Sequence, residues 1–287
     1  MREIYSVSTL QGLVLDSFRT EVNAFKPGNV NRFTDGHGMT SDDFLLSAEL
    51  VTPLLCDRNL SVGQRILESV KITRQKVGTN TNLGMLLLFA PIIIAAERMH
   101  EKTVAALQQQ LQGILLSVDT YDSRLIFQAI KEANPGGLGQ SSKYDVVLNP
   151  DCELFVAMTV ASERDTIARQ FTTGFQDIFQ TGLNVIKEFT LRWNSVEWVA
   201  VACYLTFLAN IPDSHIVRKY GIQTAEQVRK KAVIIAEQFK KNDNPEDAQV
   251  ALFRFDRDLK ETQINPGTSA DLTAASLLVY GLIKSRC

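Results

Sequence analysis

The sequence predicts an all-α fold, a single large multi-helix domain spanning residues 1–287. Helical periodicity dominates the chain, because apolar side chains recur three and four positions apart, as at Leu10, Val14 and Phe18. No alternating strand of useful length is visible, and no internal repeat has the period of a solenoid. A strand followed by a glycine-rich turn is also missing, which disfavours a Rossmann or P-loop fold.

The helices can be placed from this periodicity and from the turn residues between them. We predict helices over residues 5–25, 41–55, 61–77, 83–97, 103–117, 120–133, 151–182, 185–210, 223–241, 243–260 and 270–283. The segment 151–182 is expected to break near Gly174 or Gly182. Ser41 is the predicted cap of the second helix, and Asp119 or Thr120 that of the sixth.

The most apolar segment is the run from residue 83 to residue 96, which carries no charge. A transmembrane helix needs about 18 or more apolar residues, so this run is too short to span a bilayer. We therefore predict a central buried helix at about 83–97, with polar loops at the N-termini of this and other helices.

Length and composition exclude several classes of protein. A chain of 287 residues allows one large domain or two tightly packed halves. Its 30 basic and 32 acidic residues give a net charge of -2, without the basic excess of a nucleic-acid or membrane-surface protein. The four cysteines show no metal or redox spacing, and the N-terminus does not resemble a signal peptide. We expect a cytoplasmic protein with neither a nucleic-acid nor a membrane partner.

Two polar loops directly precede predicted helices, residues 78–84 (GTNTNLG) and residues 267–271 (GTSAD). A helix N-terminus presents unpaired N–H groups and a partial positive charge, which suit a phosphate group. Glycine lets a ligand approach the backbone closely. The same residue types are ordinary helix caps, and caps are far commoner than anion sites, so one loop taken alone favours the cap.

Two further loops carry cations. Residues 26–32 (KPGNVNR) place Lys26 and Arg32 on a rigid turn, where they could hold a polyphosphate or form a solvated basic turn. Residues 213–221 (DSHIVRKYG) combine a carboxylate, an imidazole and two cations, and an N-capped basic helix explains them equally well. His215 lies here; with His37 and His100 it matches no metal-binding spacing.

Carboxylates flank these loops and could hold Mg²⁺ against phosphates or act as a general base. They are Glu21, Asp35, Asp42, Asp43, Asp145 and Asp271. A single surface aspartate is more often solvated or a helix cap. Asp271 is the strongest candidate, because it starts an otherwise apolar helix where an unpaired charge would be costly.

Taken in order, the loops resemble those of the triphosphoribosyl-dephospho-CoA synthase family. The shared residues are Glu21, Lys26-Pro27-Gly28, Phe44, Ser47, Asn80-Thr81, Gly84, Asp213, Arg218, Gly221, Pro266-Gly267 and Ser269-Ala270-Asp271-Leu272. The synthases read Asn-Thr-His-Lys-Gly where this chain reads Asn80-Thr81-Asn82-Leu83-Gly84, so Asn82 and Leu83 replace a histidine and a lysine. In mid-chain the synthases have Arg-Gly-Glu-Ala in the region where this chain has residues 134–139 (NPGGLG). The chain is thus similar to a divergent branch found in archaea and one-carbon-metabolising bacteria.

The resemblance implies an ATP-dependent transferase that joins the ribose of ATP, with its triphosphate, to a hydroxyl of dephospho-CoA or a related precursor and releases adenine. ATP would be a substrate and Mg²⁺ a cofactor, the partners would be small-molecule nucleotides, and a homodimer is allowed. The implied nucleotide-binding residues are Lys26, Gly28, Asn80, Thr81, Gly84, Arg218, Gly267 and Ser269. The implied metal ligands are Glu21 and Asp271, and the implied catalytic residues are Asp213, Asp271 and Asp145.

Two alternatives stay open at this stage. The chain could be a kinase or another ATP-dependent transferase acting on a cofactor precursor, for example in pterin-linked one-carbon metabolism. It could also be a non-catalytic helical protein that binds nucleotides. The products separate the chemistries, because phosphoryl transfer yields ADP and ribosyl transfer yields adenine.

Overall fold

The computed structural model of the chain describes residues 4–135 and 151–285. Over these residues the fold is all-α, as predicted, and the only extended pairings are two isolated bridges, Asn31 with Thr34 and Gly36 with Met39. The helices are α1 (Val7–Asn23), α2 (Ser41–Leu55), α3 (Val62–Val77), α4 (Leu83–Arg98), α5 (Val104–Leu116), α6 (Thr120–Ala133), α7 (Leu154–Ala161), α8 (Thr166–Thr173), α9 (Leu183–Thr190), α10 (Val196–Asn210), α11 (Ser214–Tyr220), α12 (Ile222–Lys241), α13 (Gln249–Glu261) and α14 (Gly267–Lys284). A π-helical turn at Asp177–Gly182 and a 3₁₀ turn at Pro245–Ala248 complete the described elements.

The chain divides into two compact units, each assembled from segments distant in sequence. Unit 1 takes its described residues from Met1–Asp16, Leu46–Gln176 and Gly281–Cys287. Unit 2 consists of Ser17–Leu45 and Asp177–Tyr280. The expectation of one domain over residues 1–287 stays a prediction.

The core of unit 1 is built around α4, the apolar helix predicted at about 83–97. It packs against α3, α5 and α8, and Leu86, Phe89 and Ile93 are fully buried. Burial on every side explains why its sequence shows no polar stripe. Among the described residues, no helix is both long and apolar enough to cross a membrane.

Helix starts follow the predicted capping chemistry with one exception. Asp119 caps α6 by accepting a hydrogen bond from Asp122 N, as predicted. The prediction of Ser41 as the cap of α2 is wrong, because the hydroxyl of Thr40 accepts the hydrogen bond from Asp43 N at 3.2 Å. The carboxylate of Asp43 accepts in return from Thr40 N at 2.8 Å, so the two residues cap the helix reciprocally.

Two long predicted helices are interrupted. The segment 151–182 breaks at Gly174, as predicted, where the backbone takes a left-handed conformation with φ of 64°. It also breaks before α8, which Asp165 caps. The prediction of one helix over 185–210 is wrong, because Ser195 caps a new helix, α10, and the indole of Trp193 turns inward to donate to Asp243 O at 3.1 Å.

Unit 2 is organised around α10, which packs against α9 and α12 and is buried from residue 199 to residue 209. Its surrounding elements bring three loops of the sequence into the same unit: the Lys-Pro-Gly turn after α1, the segment around α11, and the start of α14. Three of the four polar loops identified in the sequence therefore belong to one compact body.

Candidate functional site

The Lys-Pro-Gly turn is held by hydrogen bonds from other elements of unit 2. Gly28 N donates to Asp256 Oδ1 of α13 at 2.8 Å, and Tyr204 of α10 donates to Pro27 O at 2.6 Å. Asn29 Nδ2 donates to Asn265 Oδ1, just before α14, at 2.8 Å. The turn is thus fixed in place by residues that lie far along the chain.

Position 28 admits only glycine. Its φ is +82°, and a Cβ there would lie 2.7 Å from Leu259 Cδ1 and 3.0 Å from Pro266 Cδ. Both the backbone conformation and the close approach of α13 exclude a side chain. Gly28, which was predicted to bind nucleotide, therefore allows the turn to pack closely against α13.

Lys26 forms a buried ion pair with Glu21. Lys26 Nζ lies 2.7 Å from Glu21 Oε1 and donates to Val30 O at 2.7 Å, and the two side chains are 0% and 1% exposed. Burial raises the pKa of Glu21 and lowers the pKa of Lys26, while their mutual attraction opposes both shifts. The charge of Asp271 also raises the pKa of Lys26, which places the three groups in one electrostatic network.

Asp213 joins the starts of two helices. Its Oδ1 accepts from His215 N and Ile216 N at 2.9 and 3.3 Å, which caps α11. Its Oδ2 accepts from the amide and the hydroxyl of Ser269, on α14, at 2.7 and 2.8 Å. Burial raises the pKa of this carboxyl, and the four hydrogen bonds oppose the shift.

The start of α14 is therefore already occupied by a carboxylate. Ser269 N and Oγ both point at Asp213, and Gly267 N donates to Asn265 O at 2.9 Å. From the sequence, these groups were predicted to bind phosphate, because a helix N-terminus carries a partial positive charge. Here a side chain of the same unit takes the position of the anion.

His215 packs its ring against Gly267. A Cβ at position 267 would lie 2.4 Å from Nδ1 of His215, so only glycine leaves room for the ring. The backbone of His215 is fixed by Asp213 Oδ1 and by Thr268 Oγ1, which accepts from His215 N at 3.2 Å. Burial and the charges of Arg218, Lys219 and His37 lower the pKa of His215 to about 3.

His37 lies in the same electrostatic environment. It adopts a φ of 59°, unusual for a residue other than glycine, and its Nε2 donates to Gly28 O at 2.8 Å. Burial and the charges of Lys219 and Lys260 lower its pKa, and Asp256 opposes the shift. We call Arg218, Lys219 and Lys260, whose charges act on the rings of His37 and His215, the cationic cluster.

Lys260 connects the cluster to the turn after α1. Its Nζ lies 3.2 Å from Asp256 Oδ1 and donates to both the carbonyl, at 3.1 Å, and the hydroxyl of Thr34. The neighbouring Phe33 is 63% exposed and meets the buried Phe25 edge-on at 5.9 Å. Phe253 of α13, 47% exposed, lies 4.4 Å from Phe25 between ring centroids.

The fourth polar loop belongs to unit 1. Asn80 Oδ1 accepts from Leu83 N at 3.1 Å, while the Thr81 hydroxyl and the Asn82 amide contact Ser47 Oγ at 2.9 and 3.1 Å. Asn82, the residue before α4, makes no capping hydrogen bond with its own side chain. Gly84 lies in the first turn of α4.

Besides Asp213, the carboxylates implied as metal ligands or catalytic groups are Glu21, Asp145 and Asp271. Glu21 is ion-paired with Lys26, and Asp271 is half-buried in the second turn of α14. Asp145 lies outside the described residues. Among the described residues, no group of three or more histidine, cysteine, aspartate or glutamate side chains is placed to hold a metal ion.

Sequence reasoning missed several residues of this region, notably Asp256, Lys260, His37 and Tyr204. Asp256 and Lys260 have the i, i+4 spacing of an ordinary exposed pair on a helix. Asp256 is only 4% exposed, because the Lys-Pro-Gly turn covers it. A signal was available at His37, since it follows Gly36 in a short turn beside the Lys-Pro-Gly motif.

Comparison with known proteins identifies a matching family and a solved structure of similar fold. The sequence profile of the family described as CitG, ATP:dephospho-CoA triphosphoribosyl transferase, matches residues 7–287. No curated protein sequence matches the chain. The fold is similar to a crystal structure of a proposed triphosphoribosyl-dephospho-coA synthase from Archaeoglobus fulgidus, with 24% identity, a TM-score of 0.64, and coverage of 84% of this chain and 100% of that chain.

Proposed function

The chain belongs to the ATP:dephospho-CoA triphosphoribosyl transferase family, and on this premise we propose that the cationic cluster of unit 2 binds the triphosphate of ATP. Membership of the family confirms the resemblance predicted from the loops and the prediction of an ATP-dependent triphosphoribosyl transferase. The assignment of individual residues to that reaction is our proposal.

The observation that carries this assignment is the positive potential at His215 and His37. Burial is the largest cause that lowers both pKa values. The charges of Arg218 and Lys219 lower the pKa of His215 further, and those of Lys219 and Lys260 lower that of His37. A polyphosphate placed among these groups would match their charge. Arg218 offers a planar donor fork for phosphate, and the exposed Lys219 offers a point charge.

The reaction is a substitution at C1 of the ribose of ATP. A C–O bond forms to the acceptor hydroxyl while the C–N bond to adenine breaks, through a transition state with oxocarbenium character. The half-buried carboxylate of Asp271 is our candidate to stabilise that positive charge. The triphosphate serves as a handle whose binding orients the ribose.

Three residues take new roles in this proposal. Lys26 is fully buried against Glu21, so we assign it to fixing the Lys-Pro-Gly turn and not to contacting phosphate. Asp213 and Ser269 satisfy each other, so we assign them to holding α11 and α14 together. These are positioning residues for Arg218 and His215, which follow on α11.

Mg²⁺ does not fit a site made by the protein alone. The charge of Glu21 is matched by Lys26, and no described set of three ligating side chains exists. Magnesium commonly binds through one or two carboxylates together with substrate phosphates. We therefore propose that the ion would enter with ATP and bind the carboxylate of Asp271, without Glu21.

An aromatic surface beside the cluster is our candidate for the adenine base. Phe33 and Phe253 both contact Phe25 and are 63% and 47% exposed, which is unusual for phenylalanine. Stacking of a base on such a ring contributes about 1–3 kcal/mol. Lys260, bound to the residue after Phe33, places a cation next to this surface.

The residues of unit 1 enter the proposal separately. Asn80, Thr81 and Gly84 lie at the start of α4, where backbone N–H groups and the helix dipole suit an anion. Their contribution to ATP binding remains a prediction. The cytoplasmic location and the homodimer are likewise predictions carried over from the sequence.

Product analysis tests the proposed function directly. The purified chain with Mg²⁺, ATP and dephospho-CoA is expected to release adenine, whereas a kinase would release ADP. Lys219→Gln is expected to raise the KM for ATP by about tenfold, the factor that corresponds to 1.4 kcal/mol of lost binding. Lys231→Gln, an exposed lysine of α12 outside the cluster, serves as the matched control. Release of ADP, or no reaction with any acceptor, would contradict the proposal.

A further inference from the structure

The acceptor hydroxyl must lose its proton as it attacks the ribose, and the sequence offered Asp213 as the base. In the structure, the carboxylate of Asp213 is already used by hydrogen bonds within unit 2. Each oxygen of Asp213 already accepts two hydrogen bonds, from His215 N and Ile216 N on one side and from Ser269 on the other. Taking up a proton would break at least one of the contacts that join α11 to α14.

His215 differs from Asp213 in the state of its side chain. Its backbone N–H is bound to Asp213 and Thr268, but none of the described residues forms a hydrogen bond with its ring. The ring is held by packing against Gly267, where any side chain would collide with Nδ1. It is therefore fixed in position and chemically uncommitted.

Burial first, and the charges around the ring second, keep the imidazole of His215 in its neutral form. Those that act on His215 are Arg218 and Lys219 from α11 and His37 from the loop after α1, and all of them disfavour the imidazolium form. A neutral imidazole has a lone pair available. The negative charge of a bound triphosphate would offset these cations and raise the pKa of the ring from its low value, which makes the imidazole a stronger base.

We propose that His215 is the general base of the transfer reaction, accepting the proton of the acceptor hydroxyl as that oxygen bonds to C1 of the ribose. The inference rests on the proposed function. The hydroxyl proton passes to the imidazole, the O–C1 bond forms, and the C1–N bond breaks with its electron pair leaving on adenine. Adenine takes a proton from water, and His215 returns its own proton to solvent, so the step balances.

The test compares His215→Gln and His215→Ala with wild type and with His100→Gln, a substitution at an exposed histidine of unit 1. We expect kcat for adenine release to fall by about 10²–10⁴-fold in both His215 variants, the usual contribution of a general base. The KM for ATP should stay within about threefold, and the acidic limb of the kcat–pH profile should disappear. Added imidazole should restore part of the activity of His215→Ala, and His100→Gln should behave as wild type.

Three results would overturn the inference. The first is a His215→Gln variant that keeps kcat within about threefold of wild type. The second is a loss that lies entirely in the KM for ATP. The third is a folded His215→Ala variant, shown by an unchanged thermal transition, that binds ATP but is not rescued by imidazole. An inactive wild type would instead overturn the proposed function, and this inference with it.

Discussion

The carboxylate of Asp213 binds both the amide and the hydroxyl of Ser269, 56 positions further along the chain. Two of the family-like motifs, residues 213–221 and 266–272, are therefore joined by one buried side chain. Their polar residues bind each other, and our proposal assigns the binding of phosphate to Arg218 and Lys219, which follow on α11.

Replacing Asp213 by asparagine should lower the free energy of unfolding by about 2–4 kcal/mol, because the cap is weakened and buried charge-assisted hydrogen bonds are lost. The amide NH₂ would also face the Ser269 donors. Asp119→Asn is the control, since Asp119 is an exposed cap of α6 and asparagine caps nearly as well. Urea denaturation of both variants measures the difference, and equal losses would contradict the structural role of Asp213.

The buried pair of Lys26 and Glu21 makes a second prediction. Lys26→Met should destabilise the protein by about 3–5 kcal/mol, because it leaves a buried carboxylate without its partner. The double variant Glu21→Gln with Lys26→Met should recover most of that loss. Lys71→Met breaks the exposed pair with Glu68 and should cost less than about 1 kcal/mol. Strict additivity in the double-mutant cycle would show that the two side chains do not interact.

Gly267→Ala tests the contact between Gly267 and His215. A Cβ at position 267 would lie 2.4 Å from Nδ1 of His215, so the ring must move. We therefore expect kcat to fall, although the imidazole of His215 is still present. Gly12→Ala is the matched control, because a Cβ there meets nothing within 4 Å. Steady-state rates of adenine release measure the effect. Wild-type kcat in Gly267→Ala would mean that the placement of the ring is unimportant.

The stability of the protein should depend on the protonation of His215. Its folded pKa of about 3 lies below the value of 6.5 for a solvated histidine, so the unfolded chain binds the proton first. Stability from this group is complete above about pH 6.5 and is lost as the pH falls towards the folded pKa, by at most about 1.4 kcal/mol per pH unit. His215→Gln should show a shallower slope of unfolding free energy between about pH 6.5 and 5. Equal slopes of unfolding free energy against pH in the variant and the wild type would contradict the lowered pKa of His215.

Local patterns were enough to predict the fold class, the core helix α4 and several helix boundaries. The charge-free run before Glu97 needed no tertiary information, and neither did the cap at Asp119 or the break at Gly174. The break before Val196 escaped prediction because the apolar spacing continues through it. The cap at Ser195 and the inward turn of Trp193 towards Asp243 together explain why a new helix starts there.

The sequence predicted which polar loops belong to the candidate site, but not which of their residues are buried and paired with each other. The loops containing Lys26, Asp213 and Gly267 are far apart in sequence, so only the fold shows that they share a unit. Burial then changes their chemistry, because Lys26 pairs with Glu21 and Asp213 with Ser269. No local pattern reveals which of two adjacent polar residues will be saturated, and so the sequence favoured Asp213 over His215.

The central claim is that the triphosphoribosyl group of ATP moves as a unit to the acceptor. ATP labelled in the adenine ring with one isotope and in the γ-phosphate with another, incubated with the protein, Mg²⁺ and dephospho-CoA, tests it most directly. We expect the γ-phosphate label to appear in a product that contains dephospho-CoA while the adenine label is released as free adenine. Recovery of the adenine label in ADP, or of both labels in unchanged ATP, would contradict the claim.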